Sequence, residues 1–131
     1  MKLLLDTQCW LWWFANPERL NTEAIESLGS EKNQLYLSVA SIWEIAIKVS
    51  LGKLNLPEPP SEYIPSRMMM LGVTSVDIKG IHAILAASLP YHHRDPFDRM
   101  IIAQSQIEQM QIVTADSVFN QYDVNLIWCK S

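Results

Sequence analysis

Lys2-Leu3-Leu4-Leu5-Asp6-Thr7 opens the chain with a short apolar run that stops at a carboxylate and a hydroxyl. A run of this length, apolar at consecutive positions, suits a strand buried on both faces, as in a parallel sheet. The same pattern returns near the end of the chain, where Gln111-Ile112-Val113-Thr114 leads through Ala115 into Asp116. Open α/β sheets bind ligands outside the carboxyl ends of their strands. The two runs therefore predict two acids leaving one edge of one sheet.

Working outward, Leu35 to Ser38, Val73 to Val76 and Val124 to Ile127 read as further short strands. Helices are expected between them. Gln8 to Ala15 carries Trp10, Trp13 and Phe14 at helical spacing before Asn16-Pro17. Asn21-Thr22 caps a helix through Leu28, and Ile42, Ile45, Ala46 and Val49 repeat at i, i+3, i+4 and i+7 up to Gly52. Ser61 to Leu71, Asp77 to Ser88 and Pro96 to Gln109 complete the long helices, with a helical turn at Ser117 to Gln121. Strands alternating with helices predict an α/β three-layer sandwich around a mostly parallel sheet. The length of 131 residues predicts a single domain over 1–131.

Composition narrows the function. Ten bases against fourteen acids, net −4, exclude a strongly cationic nucleic-acid wrapper but not a nuclease. The longest apolar stretch, Cys9 to Ala15, is too short to span a membrane. Only two cysteines occur, Cys9 and Cys129, with no CxxC, so neither a disulfide framework nor a zinc finger is expected. The expected location is a reducing cytoplasm.

Two more acids fall at the same predicted edge: Glu44, soon after the second strand, and Asp98, just after Pro96. Each acid has an ordinary structural use. Ser41-Ile42-Trp43-Glu44 matches a capping box, Glu44 has Lys48 at i+4, and Asp95-Pro96 reads as an N-cap followed by proline at N1. Together they pose a problem, because two carboxylates 4 Å apart repel by about 4 kcal/mol at an effective dielectric of 20. Convergence on one crevice calls for a cation, and all-oxygen ligands suit Mg²⁺ or Mn²⁺.

Leu3-Leu4-Leu5-Asp6-Thr7, Ser38-Val39-Ala40-Ser41-Ile42-Trp43-Glu44-Ile45-Ala46-Ile47-Lys48, His92-His93-Arg94-Asp95-Pro96-Phe97-Asp98-Arg99 and Val113-Thr114-Ala115-Asp116, in that order, resemble the successive motifs of PIN-domain proteins. The subgroup they resemble is the VapC-type toxin ribonucleases of toxin–antitoxin operons. The resemblance implies a metal-dependent endoribonuclease whose acidic quartet falls on Asp6, Glu44, Asp98 and Asp116. It also implies a five-stranded parallel sheet, a homodimer and a small antitoxin partner. Gln8 and Cys9 stand where such proteins often carry a histidine and a small residue.

Around the quartet, Thr7, Ser41 and Thr114 are auxiliary candidates because ligating carboxylates need hydrogen-bond partners, and Asp95 is a fourth. His92, His93, Arg94 and Arg99 form a cationic stretch that could grip RNA phosphates. Five tryptophans are a heavy load for 131 residues, so Trp10, Trp12, Trp13 and Phe14 are expected to include a partner-binding surface. Trp43 and Trp128 are expected in the core, and His82 on a helix surface. Two other readings are a PIN-fold binding module without catalysis and a Mg²⁺-dependent phosphohydrolase of small molecules. Against the latter, the chain has no G-x-G-x-x-G, no G-x-x-x-x-G-K-[ST] and no D-x-D start.

Overall fold

The computed structural model describes residues 1–130. Five strands form one parallel sheet: β1 (Lys2–Leu5), β2 (Gln34–Ser38), β3 (Val73–Val76), β4 (Gln111–Thr114) and β5 (Leu126–Trp128). Their spatial order is β3-β2-β1-β4-β5. The helices are α1 (Thr7–Ala15), α2 (Thr22–Gly29), α3 (Val39–Ser50), α4 (Pro60–Leu71), α5 (Gly80–Ser88) and α6 (Pro96–Glu108), with 3₁₀ turns at Pro17–Arg19 and Ser117–Gln121. The expected α/β sandwich with a central parallel five-stranded sheet is what the chain adopts.

The strand period explains the layers. Leu3 and Leu5 join Trp10, Leu35, Leu37, Ile45 and Val113 on one face, whereas Leu4 joins Ile101, Ile102, Ile112 and Phe119 on the other. Both faces are covered, so β1 has no exposed side and reads as an uninterrupted leucine run. Gly72, at φ 68, ends α4 in a left-handed turn and feeds directly into β3. The strand order reverses between β1 and β4, which opens the crevice where sheets of this kind bind ligands. Asp6 and Asp116 follow these two strands.

Several expectations are corrected. No disulfide is expected from the two cysteines, yet Cys9 and Cys129 are joined by one across a sequence separation of 120, and both are fully buried. The bridge arises because α1 leaves the end of β1 on the same face that receives the chain after β5. His82 is buried, not on the surface: its Nδ1 accepts from the Lys79 amide at 3.0 Å and its Nε2 lies 2.8 Å from Glu108. Trp43 and Trp128 are exposed, at 60% and 42%, so neither is a core residue. The predicted capping box at Ser41 does not form. The helix starts three residues earlier, with Ser38 accepting from the Ala40 amide.

The bridge yields a measurable expectation. Closing a loop of this size stabilises a fold by about 2–4 kcal/mol, chiefly by restricting the unfolded chain. Reductant, or Cys129→Ser, should lower the melting temperature by several degrees. Indistinguishable melting curves for oxidised, reduced and substituted protein would show that the bridge contributes nothing.

Candidate active site

Asp6 is held by the junction that creates it. Its backbone amide donates to Val113 across the sheet at 3.0 Å, and its side chain caps α1 by accepting from the Cys9 amide at 2.7 Å. The Thr114 hydroxyl donates to the other carboxylate oxygen. Both oxygens are therefore oriented by groups on β4 and α1. Burial pushes the Asp6 carboxyl up to about 6, with the Asp116 charge adding to this and the hydrogen bonds opposing it.

Glu44 sits in the second turn of α3. Its Oε1 accepts from the Thr7 hydroxyl at 2.7 Å, and its Oε2 pairs with Lys48 at 2.8 Å. Asp116 is exposed and caps the 3₁₀ turn by accepting from the Val118 amide at 3.0 Å. Asp95 caps α6, accepting from the Phe97 and Asp98 amides at 2.9 and 3.1 Å, as its place before proline predicts. Asp98, at N3 of the same helix, keeps its carboxylate for the cleft, where His93 Nε2 lies 3.3 Å from its Oδ2.

These residues line one cleft of about 600 Å³ at the carboxyl edge of the sheet: Asp6, Thr7, Glu44, Asp95, Asp98 and Asp116, with Trp12, Trp128, Lys48 and Lys130 around them. A cleft of similar volume, about 560 Å³, lies at the opposite edge beside Met1 and Gln111, but it carries Asp123 as its single acid. Chemistry, not size, separates the two. The Asp98 carboxyl is pushed up to about 8, first by burial and then by the charges of Asp95, Asp6, Glu44 and Asp116. Four acids from four separate elements thus act on one carboxyl.

Among the described residues, no group of three acids stands close enough to enclose an ion as placed. The donor set still fits a hard divalent cation, because it is all oxygen, concentrated in one cleft and short of positive charge at Asp98. Asp6, Glu44, Asp98 and Asp116 are the acids of the expected quartet, and all four line this cleft.

Of the other candidates, Thr7 and Thr114 donate to the acids, while Ser41 is fully buried with an unpaired hydroxyl and touches none of them. Arg99 is corrected: its guanidinium is buried and donates to the carbonyls of Leu89, Pro90 and His93, over the ring of Tyr91. It is not free to grip phosphate. His92 and Arg94 are exposed beside the cleft rather than lining it. Trp10 is also corrected, being a core residue at 1% exposure, whereas Trp12, Trp13 and Phe14 are half-buried. Sequence reading missed Lys130 and Tyr122. No local pattern marks either, since each reaches the site through the fold of the last strand and turn.

A family model described as PIN domain matches residues 3–125. Ribonuclease VapC22 of Mycobacterium tuberculosis is 28% identical over 115 residues, 87% of this chain and 86% of that protein. Ribonuclease VapC16 of the same organism is 45% identical over 51 residues, 39% of this chain, so the match spans about a third (36%) of that relative's length. Among solved structures, VapBC2 from Rickettsia felis bound to a promoter DNA fragment superposes with a TM-score of 0.74 at 14% identity, covering 99% of this chain and 100% of that one. DNA-bound VapBC from Salmonella typhimurium gives 0.69 at 15% identity, covering 97% of both. At such identities the superpositions speak for the fold. The family match reaches from β1 to the residue before β5, taking in every element that carries an acid of the cleft, and the chain belongs to the PIN domain family.

Proposed function

We propose that this chain is an endoribonuclease, the toxin of a toxin–antitoxin pair, and that it hydrolyses RNA phosphodiester bonds with Mg²⁺ or Mn²⁺ held by Asp6, Glu44, Asp98 and Asp116. The observation that carries this reading is the accumulation of these acids in one cleft at the strand reversal, with Asp98 pushed up to about 8 by burial and then by its acidic neighbours. The kinship with proteins named as VapC ribonucleases supports the substrate class and the single PIN-like domain. A bound divalent ion supplies a polarised phosphate and an acidified water.

The chain's own residues do the rest. Thr114 and the Cys9 amide hold Asp6 by both oxygens, and Thr7 holds Glu44, so two acids are locked by rigid elements. Lys48 and Lys130 at the rim meet phosphates, and the aromatic side chains of Trp12 and Trp128 offer surfaces on which bases stack. No helix among the described residues is long and apolar enough to cross a membrane. For the antitoxin, an apolar groove of about 440 Å³ lies between α3 and α4, lined by Ile42, Ala46, Ile64, Pro65 and Met68 and by none of the α1 aromatics. The exposed Ile81 and Ile84 of α5 support a homodimer.

The metal reading is tested by melting the protein with EDTA and with Mn²⁺ across pH. Both Asp6 and Asp98 have folded-state values raised above 3.8. Between that value and about 8 the folded chain keeps protons the unfolded chain has released, so metal-free stability falls as pH rises through the window. Bound cation offsets the repulsion, by about 2.7 kcal/mol at a hundredfold excess over Kd. The Mn²⁺-induced rise in melting temperature should therefore be larger at pH 8 than at pH 5. Identical curves with and without Mn²⁺ at both pH values would overturn the ligand assignment.

A further inference from the structure

The Tyr122 hydroxyl, buried behind the cleft, meets three nitrogens. The His93 backbone N–H points to it at 3.3 Å and Arg99 Nη1 at 3.4 Å, while His93 Nδ1 lies nearest at 2.8 Å. A phenol has one proton to donate and two lone pairs to accept with. An amide N–H and a guanidinium N–H can only donate, and Arg99 Nη1 shares its two protons among the Pro90 and His93 carbonyls and this hydroxyl, so Nδ1 is the one nitrogen of the three able to accept. The phenolic proton is left for Nδ1, which must accept. A neutral imidazole accepting at Nδ1 carries its own proton on Nε2, and that nitrogen faces Asp98 Oδ2 at 3.3 Å.

We propose that Tyr122 and His93 are positioning residues of the cleft: the buried hydroxyl sets the His93 tautomer, and the Nε2 proton holds the Asp98 carboxylate in the orientation that receives the cation. The role rests on the ligand reading above. It reassigns His93 from phosphate gripping to carboxylate support. It also gives the buried Arg99 a use, because its guanidinium ties the carbonyls of Leu89, Pro90 and His93 together and fixes the loop that carries the imidazole. The rings of His92 and His93 both pack edge-on against Tyr122, at 4.9 and 5.4 Å between centroids, which restricts rotation about the imidazole. Partners behind a metal ligand of this kind are typically worth about 10- to 100-fold in metal affinity.

The test uses the whole chain and two readouts besides cleavage. Nitrogen-15 NMR of the metal-free protein, with the His93 signals assigned by their loss in His93→Gln, should show the proton on Nε2. Tyr122→Phe should abolish that preference. Calorimetric titration with Mn²⁺ should show His93→Ala binding about 10- to 100-fold more weakly than wild type. His93→Gln, whose side-chain amide places a donor near the lost Nε2, should recover most of the affinity, and circular dichroism should show every variant folded. A proton on Nδ1 overturns the proposal. So does wild-type Mn²⁺ affinity in His93→Ala with a raised KM for RNA, which is the signature of a phosphate contact. A wild-type protein that binds no Mn²⁺ overturns the ligand reading itself, and the positioning role with it.

Discussion

Asp6→Asn should lose more than about a hundredfold in RNA cleavage, because even an outer partner of a metal ligand is typically worth about 10- to 100-fold. The substitution keeps the shape of the side chain and one oxygen to accept from the Cys9 amide. The Thr114 hydroxyl, which now donates to Asp6, can turn and accept from the new amide instead. The fold therefore stays intact. In EDTA at pH 8 the variant should melt at or above wild type, since it removes a buried charge that the metal-free fold tolerates poorly. In Mn²⁺ the order should reverse, because wild type gains a ligand and the variant does not. Cleavage assays and paired melting curves check both statements. An active Asp6→Asn would end the ribonuclease reading at this cleft.

The second large effect separates Asp98 from Asp95, three residues apart on the same helical turn. Asp95 spends its carboxylate on the Phe97 and Asp98 amides at the start of α6. Asparagine caps helices about as well as aspartate, so Asp95→Asn should change stability by less than about 0.5 kcal/mol and leave most of the activity. Asp98 makes no capping bond, lies half-buried in the cleft and feels the charges of Asp6, Glu44 and Asp116. Asp98→Asn should abolish cleavage and make the metal-free protein more stable at pH 8, by removing the carboxylate that burial and four neighbouring acids oppose. Dead Asp95→Asn beside active Asp98→Asn would move the third ligand to the cap.

Much of this was legible in the linear chain. β1 and β4 are buried on both faces, so their apolar runs carry no competing pattern, and the acids ending them fall at one sheet edge on the sequence pattern alone. The caps at Asp95 and Asn21 are local chemistry, set by the residues that follow within one helical turn. Such features depend on backbone geometry over a few residues. The sequence alone therefore determined the strand–helix alternation, the burial of Leu3 to Leu5 and the positions of the acids relative to their strands.

Only the tertiary structure decided the rest, because the remaining contacts join residues far apart in the chain. Cys9 and Cys129 meet only because β5 adds to the sheet beside β4 and brings the end of the chain back to α1. Arg99 reads as a surface cation, yet the loop from Leu89 to His93 folds over it and consumes its donors in carbonyl bonds. The aromatic load could not be divided by composition. Trp10 falls on the side of α1 facing the sheet, while Trp43 falls on the outward side of α3, and helix orientation about its axis is set by packing. Tyr122 reaches His93 across 29 residues, and nothing in the sequence around either predicts it. Periodicity and capping act within a turn or a strand. Which side chain faces which across the sheet is settled by how the layers pack.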